Sequence, residues 1–324
     1  MRVCVTGATS GVGTNLASAL RARGDTVSAL VRRTSATEAL YRLGCDLVEG
    51  DVTDPLSVRR AVEGCDLVVH AAARVGEWGA REDFIRVNVL GTENVLRAAR
   101  DAGALRFVHV SSTAVYGPAP ERVLVETLAP RLSGTPYADS KREAERVVFN
   151  LGARSPLPVT VVRPCLIYGP HDRVFLPGLA ALLRGRRFVW VVDRDTPVNL
   201  VHTSNVVDVV LRAMEHPRAV GEAFNVADGP PLSLGEVIEV VCRHLRVPVP
   251  RVRVPTGVAR VAARVLEAAW ETAGLSAAPP LTVAALDSMA RTRVVSTEKA
   301  RDVLGYHPVV TTTEGLAQAC DALT

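Results

Sequence analysis

A tyrosine and a lysine four residues apart, in Tyr137-Ala-Asp-Ser-Lys141, are the first candidates for chemistry in this 324-residue chain. On a helix that spacing puts both side chains on one face. A free phenol titrates at about pH 10, and a neighbouring ammonium favours the phenolate and lowers that value. The pair is therefore suited to exchanging a proton with an alcohol or carbonyl oxygen near neutrality. Ser112, in Val110-Ser-Ser-Thr-Ala-Val-Tyr-Gly117, offers a hydroxyl to the same oxygen. Alone, Tyr-x-x-x-Lys arises by chance on any exposed helix face. Order gives it meaning: a glycine-rich turn comes first, then a Ser-Ser-Thr strand end, then the Tyr–Lys helix.

The glycine-rich turn opens the chain. Arg2–Thr6 reads as a short buried strand, and Thr14–Arg23 carries Leu16, Ala17 and Leu20 at helical spacing. Between them run Gly7, Thr9, Ser10, Gly11, Val12 and Gly13. Glycines let the backbone bend sharply and approach a ligand, and the helix N-terminus offers free N–H groups to an anion such as a pyrophosphate. A strand-to-helix turn with no ligand carries similar residues. Its place at the head of a β-α-β run favours the anion-binding reading.

Alternation continues through the first half. Strands are expected at Thr26–Arg32, Asp46–Glu49, Asp66–Ala72, Phe107–Ser111 and Val159–Arg163. Helices are expected at Pro55–Glu63, opened by Asp54 as N-cap, over a long stretch from about Arg81 to Arg100, and at Tyr137–Asn150. That order predicts an α/β fold, a Rossmann-type doubly wound parallel sheet with helices on both faces. After Arg163 the pattern is broken by Gly-Pro and Pro-Pro pairs. We expect a nucleotide-binding unit over 1–165, joined in its sheet by about 196–228, and a smaller substrate-binding subdomain mainly within 166–324. Arg253–Thr272 reads as a helix whose Val258, Val261, Val265 and Ala269 share one face, expected to pack into the core.

Composition narrows the classes. Thirty-eight basic and 34 acidic residues are scattered, giving a net charge of +4 with no basic block, so no nucleic-acid partner is implied. The six cysteines are dispersed without a C-x-x-C pair, which points to a reducing, cytoplasmic setting and no metal site. The chain opens directly on a core strand, so no leader peptide is expected. No apolar stretch approaches the roughly 20 residues of a membrane span.

Across nearly its whole length the sequence resembles the extended short-chain dehydrogenase/reductase family. The matching stretches are TGATSGVG (6–13), Asp51-Val52, HAAA (70–73), VNVLGT (87–92), SSTAVYG (111–117), YADSK (137–141), RPCLIYGP (163–170) and NLVHTSNVV (199–207). The resemblance implies a nicotinamide dinucleotide cofactor. It sets Asp51 and Val52 near adenine, Ala71, Ala72 and Ala73 along the cofactor, and Pro164 beside the nicotinamide. It assigns Ser112, Tyr137 and Lys141 to catalysis, with Lys141 also on the nicotinamide ribose. Asn88 matches a position near the active-site end of the long helix and is counted with the cofactor residues; a structural amide bonding backbone is the alternative. One departure is Ser10, where extended members usually carry glycine. Relatives often form homodimers through the helices carrying Asn88 and Tyr137.

The end of the second strand, Ala29-Leu-Val-Arg32-Arg33, selects the cofactor form. NAD binders place an acidic residue there for the ribose 2′-hydroxyl, whereas an arginine accommodates a 2′-phosphate. Two arginines and no acid predict NADP(H), with Arg32 as the main contact and Arg33 as a second; two solvated surface charges are the alternative.

Nucleotide-sugar members of the family carry an Asn and an Arg near the substrate diphosphate where this chain has Leu166 and Val198. Dehydratases carry Asp-Glu where it has Thr113 and Ala114. Pro279-Pro-Leu-Thr282 and the run Ser296–Pro308 look instead like the 3β-hydroxysteroid dehydrogenase and dihydroflavonol reductase branch, which implies a small apolar ketone or secondary alcohol as substrate. Trp78, Phe175, Trp190 and Trp270 are candidates to line its pocket. The lead reading is an NADPH-dependent ketoreductase. A nucleotide-sugar 4-epimerase and a non-catalytic dinucleotide sensor are the alternatives, and the similarity to hopanoid-associated epimerases keeps a sugar substrate open.

Overall fold

A computed structural model describes every residue of the chain except 77, 173, 276, 291, 292 and 324. Strands and helices alternate: β1 (Arg2–Thr6), α1 (Gly11–Ala22), β2 (Thr26–Val31), α2 (Glu38–Arg42), β3 (Asp46–Glu49), α3 (Pro55–Val62) and β4 (Leu67–His70). There follow α4 (Arg81–Phe84), a π-helical segment (Ile85–Leu90), α5 (Gly91–Asp101), β5 (Arg106–Val110), the short β6 (Val123–Leu124), α6 (Pro136–Gly152) and β7 (Val159–Pro164). Beyond these lie β8 (Leu166–Tyr168), α7 (Phe175–Arg184), β9 (Pro197–Val198), β10 (Leu200–His202), α8 (Thr203–Glu215) and β11 (Ala223–Val226).

Seven of these strands form one parallel sheet in the order β11-β7-β5-β4-β1-β2-β3. Its central strands are runs such as Val3-Cys-Val5 and Leu67-Val-Val69, buried throughout because helices cover both faces. One core gathers Val5, Leu16 and Val209 beneath α1 and α8. The other gathers Val58, Leu96 and Phe107 beneath α3 and α5. The chain leaves β1 toward β2 and β3, then returns to β4 on the other side of β1. This reversal opens a crevice at the carboxyl ends of the strands, where open α/β sheets bind ligands.

The later chain adds β12 (Leu232–Ser233), α9 (Leu234–Leu245), α10 (Thr256–Thr272), α11 (Val283–Met289), β13 (Val294–Val295), α12 (Glu298–Leu304) and α13 (Thr312–Asp321). Three small two-stranded sheets pair β8 with β10, β9 with β12 and β6 with β13. A separate core forms where α7, α9 and α13 meet, and a smaller one lies between α10 and α11.

The long helix expected from about Arg81 to Arg100 is present, with its stretch Ile85–Leu90 wound as a π-helix. Two other features differ from the sequence reading. The short α2 went unforeseen; only Leu40 of its five residues is buried, too little for a periodic signal. On α10 the core face is Ala259 and Ala263, while Val258, Val261 and Val265 are 58%, 61% and 64% exposed and Ala269 is also exposed. Small alanines let α10 lie close to its neighbours, so the bulkier valines face solvent. No helix of the described residues is long and apolar enough to cross a membrane.

Candidate active site

A cavity of about 1240 Å³ runs along the carboxyl ends of the sheet and on between the C-terminal helices. A single small-ligand pocket measures roughly 300–1,000 Å³, so this one has room for a dinucleotide and a substrate together.

Its floor is the first turn of the chain. Gly7 has φ +69° and lies so close to β4's exit that a Cβ there would sit 2.6 Å from the Ala72 nitrogen. Ser10 caps α1, its hydroxyl donating to the Gly7 carbonyl (2.7 Å) and accepting from the Gly13 N–H (3.1 Å). The serine that replaces the family's usual glycine thus closes the turn on itself. Gly11 and Val12, in the helix's first turn, have N–H groups with no intrahelical acceptor and line the cavity with Gly7, Thr9 and Ser10. Gly13 is not on the cavity wall, which corrects its assignment to the cofactor. A Cβ at Gly13 would fall 2.2 Å from the Gly7 carbonyl oxygen, so its role is close packing of helix on strand.

Strand exits supply the next wall. Arg32 at the end of β2, Asp51 and Val52 after β3, and Ala71, Ala72 and Ala73 after β4 all line the cavity. One oxygen of Asp51 is taken by the backbone and hydroxyl of Thr53 (2.9 and 2.7 Å). Arg33 is exposed and lies off the wall, against expectation. The chain turns there, with the Ser35 N–H donating to the Arg32 carbonyl (2.8 Å), and this turn brings Ser35 to the wall instead. Only the general preference of turns for serine could have suggested that residue.

The three candidate catalytic residues converge on the middle of the cavity, with Pro164 beside them. Ser112 caps a short 3₁₀ turn (Thr113–Tyr116), where its Oγ accepts from the Ala114 N–H (3.1 Å). Its proton goes to the Tyr137 phenol, so a carbonyl oxygen bound between the two would take that donor over. Tyr137 and Lys141 project from one face of α6. The Lys141 Nζ donates to the Val110 carbonyl (2.7 Å), leaving two of its three N–H bonds for other partners. Burial pushes the Lys141 ammonium down to about 8, while Glu145, one turn further on, pulls it back up. Burial pushes the Tyr137 phenol up, opposed by the Ser112 hydroxyl. The expected lowering of the phenol by its lysine neighbour is thus not seen in the free protein, where the ammonium is drawn to Val110.

Beneath these groups α6 is clamped to the sheet. Arg163 on β7 donates to both oxygens of Glu145 (2.7–3.2 Å) and to the Tyr116 hydroxyl (2.9 Å), which itself donates to Asn225 (2.8 Å). Asn88, counted from sequence among the cofactor residues, is 1% exposed and off the cavity wall. Its amide instead accepts from the Arg74 N–H (2.7 Å) and donates to the Arg74 carbonyl (3.0 Å) and to Ser140 (2.8 Å). It ties the loop after β4 to the turn of α6 between Tyr137 and Lys141, as a positioning residue.

Aromatic residues at the substrate end also differ from expectation. Trp190 is 2% exposed in the core, its ring N–H donating to the Pro250 carbonyl (2.8 Å). Trp78 reaches the Leu275 carbonyl (3.4 Å). Neither lines the cavity, and nor does Trp270; Phe175 does, together with Phe188, which sequence reasoning passed over.

Residues 3–227 match the model of the NAD dependent epimerase/dehydratase family. The chain belongs to that family. Within it this protein is an extended short-chain dehydrogenase/reductase, of the oxidoreductase type that works with a nicotinamide dinucleotide. It is 35% identical to a 4-hydroxy-2-methyl-3-oxo-4-farnesyl-3,4-dihydroquinoline-1-oxide ketoreductase of Stigmatella aurantiaca, covering 98% of this chain and 95% of that one. It is 32% identical to a 2-alkyl-3-oxoalkanoate reductase of Stenotrophomonas maltophilia, over 98% and 97% of the two chains. Among solved structures, MoeE5 in complex with UDP-glucose and NAD is similar, with a TM-score of 0.79 at 25% identity and both chains covered in full. The cradle at Gly7 and Gly11, which any side chain would crowd, fits the dinucleotide that this family carries.

Proposed function

We propose that this short-chain dehydrogenase/reductase is an NADPH-dependent ketoreductase acting on an apolar ketone, or oxidising the matching secondary alcohol. The observation that carries the reading is the company of Ser112, Tyr137 and Lys141. They share one cavity with Leu166 and Val198, apolar where nucleotide-sugar enzymes of the family hold a diphosphate. Burying phosphate charge beside two aliphatic side chains would be costly. Relatives whose names describe ketone reduction point the same way.

Bound NADPH supplies the hydride. The chain's own residues do the rest. Ser112 donates its hydroxyl proton to the ketone oxygen and so orients the carbonyl. Tyr137 gives that oxygen its phenolic proton as charge develops on it. Lys141, held by Val110, sets a positive charge beside the phenolate that Tyr137 becomes, which lowers the cost of proton release. Arg32 faces the 2′-phosphate, with no acidic residue at the end of β2 to prefer NADH.

The test is consumption of NADPH with a panel of ketones, read from cofactor absorbance, beside a titration with free UDP. Turnover of ketone without saturable UDP binding is the expected result. Tight UDP binding with no net cofactor consumption would replace the reading with nucleotide-sugar epimerisation.

A further inference from the structure

The cavity wall changes character beyond Leu166 and Val198. Leu166 pairs with Leu200 across β8 and β10, and Val198 pairs with Leu232, which leads directly into α9. Past this throat lies a slot between α7 and α9. Phe175 and Leu179, one turn apart on α7, form one side and Leu234 on α9 the other, with the fully buried Val237 and Ile238 closing it from behind; Phe188 lines the same stretch. None of these side chains can make a hydrogen bond, so a phosphate, hydroxyl or amide placed there would lose its water without replacement. Phe175, Leu179, Phe188 and Leu234 pack on the C-terminal core yet keep part of their surface open.

Three charged groups at this end of the cavity have partners of their own. Asp172 accepts from the N–H groups of Val174, Phe175 and Leu176 (2.8, 3.1 and 2.9 Å) at the start of α7. Asp287 on α11 pairs with Arg260. Arg293 donates to the Gly117 carbonyl (2.7 Å).

We propose that the slot between α7 and α9 binds a long hydrocarbon chain attached to the ketone, so that the substrate is a lipid-like ketone rather than a compact one. The inference rests on the ketone-reduction reading, which sets the carbonyl at Ser112 and Tyr137. Leu166 and Val198 then flank the first carbons of the chain, and the slot takes the remainder. An apolar slot gains with each methylene it removes from water.

The test separates the slot from the chemistry. Straight-chain aliphatic amides of increasing length have a carbonyl oxygen for Ser112 and Tyr137 but no reducible ketone. Calorimetric titration in the presence of NADPH should show affinity rising about three- to fourfold per methylene until the slot is full. Leu179→Trp, on the partly open wall, should flatten that rise and leave the shortest amide unchanged; Leu234→Trp, also partly open, is the second variant from the opposite wall. Affinity independent of length in the wild type, or a Trp variant that weakens short and long amides alike, overturns the slot. Reduction of straight-chain methyl ketones of the same range of lengths, followed in parallel, tests the chemistry. Its absence with a steep length series would sink ketone reduction and keep the slot; its presence with a flat series would do the reverse.

Discussion

The two ends of the cavity are built by opposite rules. The dinucleotide end is made of backbone and small residues at the exits of adjacent parallel strands, Gly7, Arg32, Asp51 and Ala71–Ala73. The substrate end is made of large side chains from segments far apart in the chain, among them Phe175 on α7, Phe188 in the loop after it, Leu234 on α9 and Met289 on α11. A backbone wall is set by turns and allows almost no substitution. A side-chain wall is set by packing between elements and can be recut residue by residue. One end therefore fits a ligand common to the whole family, and the other is free to differ between members.

The comparison can be broken where the two ends meet. Tyr137→Phe should remove the proton donor while leaving both walls intact. Turnover should fall about 10²–10⁴-fold with cofactor affinity largely unchanged, as single-turnover and binding measurements would show. A variant keeping more than roughly a tenth of wild-type turnover would remove Tyr137 from the role of acid.

Arg32→Ala tests a long side chain on the backbone-built end. A charge-assisted hydrogen bond is worth about 1.5–3 kcal/mol, so NADPH affinity should drop roughly 10- to 150-fold while NADH affinity stays nearly constant. Calorimetry with both cofactors decides it; equal weakening of the two would mean that Arg32 does not read the 2′-phosphate.

Gly13→Ala probes the close packing behind the backbone wall. Its Cβ would meet the Gly7 carbonyl at 2.2 Å, so α1 must shift. We expect a loss of about 1–3 kcal/mol in stability by denaturant unfolding, with cofactor binding weakened through the displaced turn. Val237→Ala on the other wall should leave NADPH affinity untouched. If both variants weaken NADPH equally, the two ends are not independent.

The smallest effect is on pH dependence. Burial holds the Lys141 ammonium at about 8, below its ordinary value, so the charge is complete at lower pH and is lost as pH rises through that value. Ketone reduction should therefore decline by a few-fold across about one pH unit either side of this value, and Lys141→Arg should move the decline upward. A flat profile over that range would show that the lysine's charge plays no part in the slow step.

The same contrast explains what could be read from the sequence. Alternating buried runs and the glycine turn are local patterns, so the order of β1 to β5 and the convergence of Ser112, Tyr137 and Lys141 were legible. Where a residue's part depends on a partner far along the chain, it was not. Asn88 is held by Arg74 and Ser140, and nothing in its neighbourhood signals that. Arg33 sits exposed in a turn closed by the Ser35 N–H on the Arg32 carbonyl, off the cavity wall. The valines of α10 have core-like spacing, yet the alanines on the other face pack more closely and win the interior. Phe188 lies outside any regular element, and its place on the cavity follows only from the way α7 and α9 come together.

The π-helical stretch Ile85–Leu90 works as a spacer of fixed length. Within it, Asn88 reaches Arg74 and, through Ser140, the helix that carries Tyr137; after it, Gly91 and Asn94 lie against Val52, beside the wall where adenine is expected. A helix turns about 100° per residue. Removing one residue between Asn88 and Gly91 would leave one of these attachments facing the wrong way by more than a quarter turn. Insertions and deletions are thus excluded from the middle of this helix, whose Val87 also reaches the cavity.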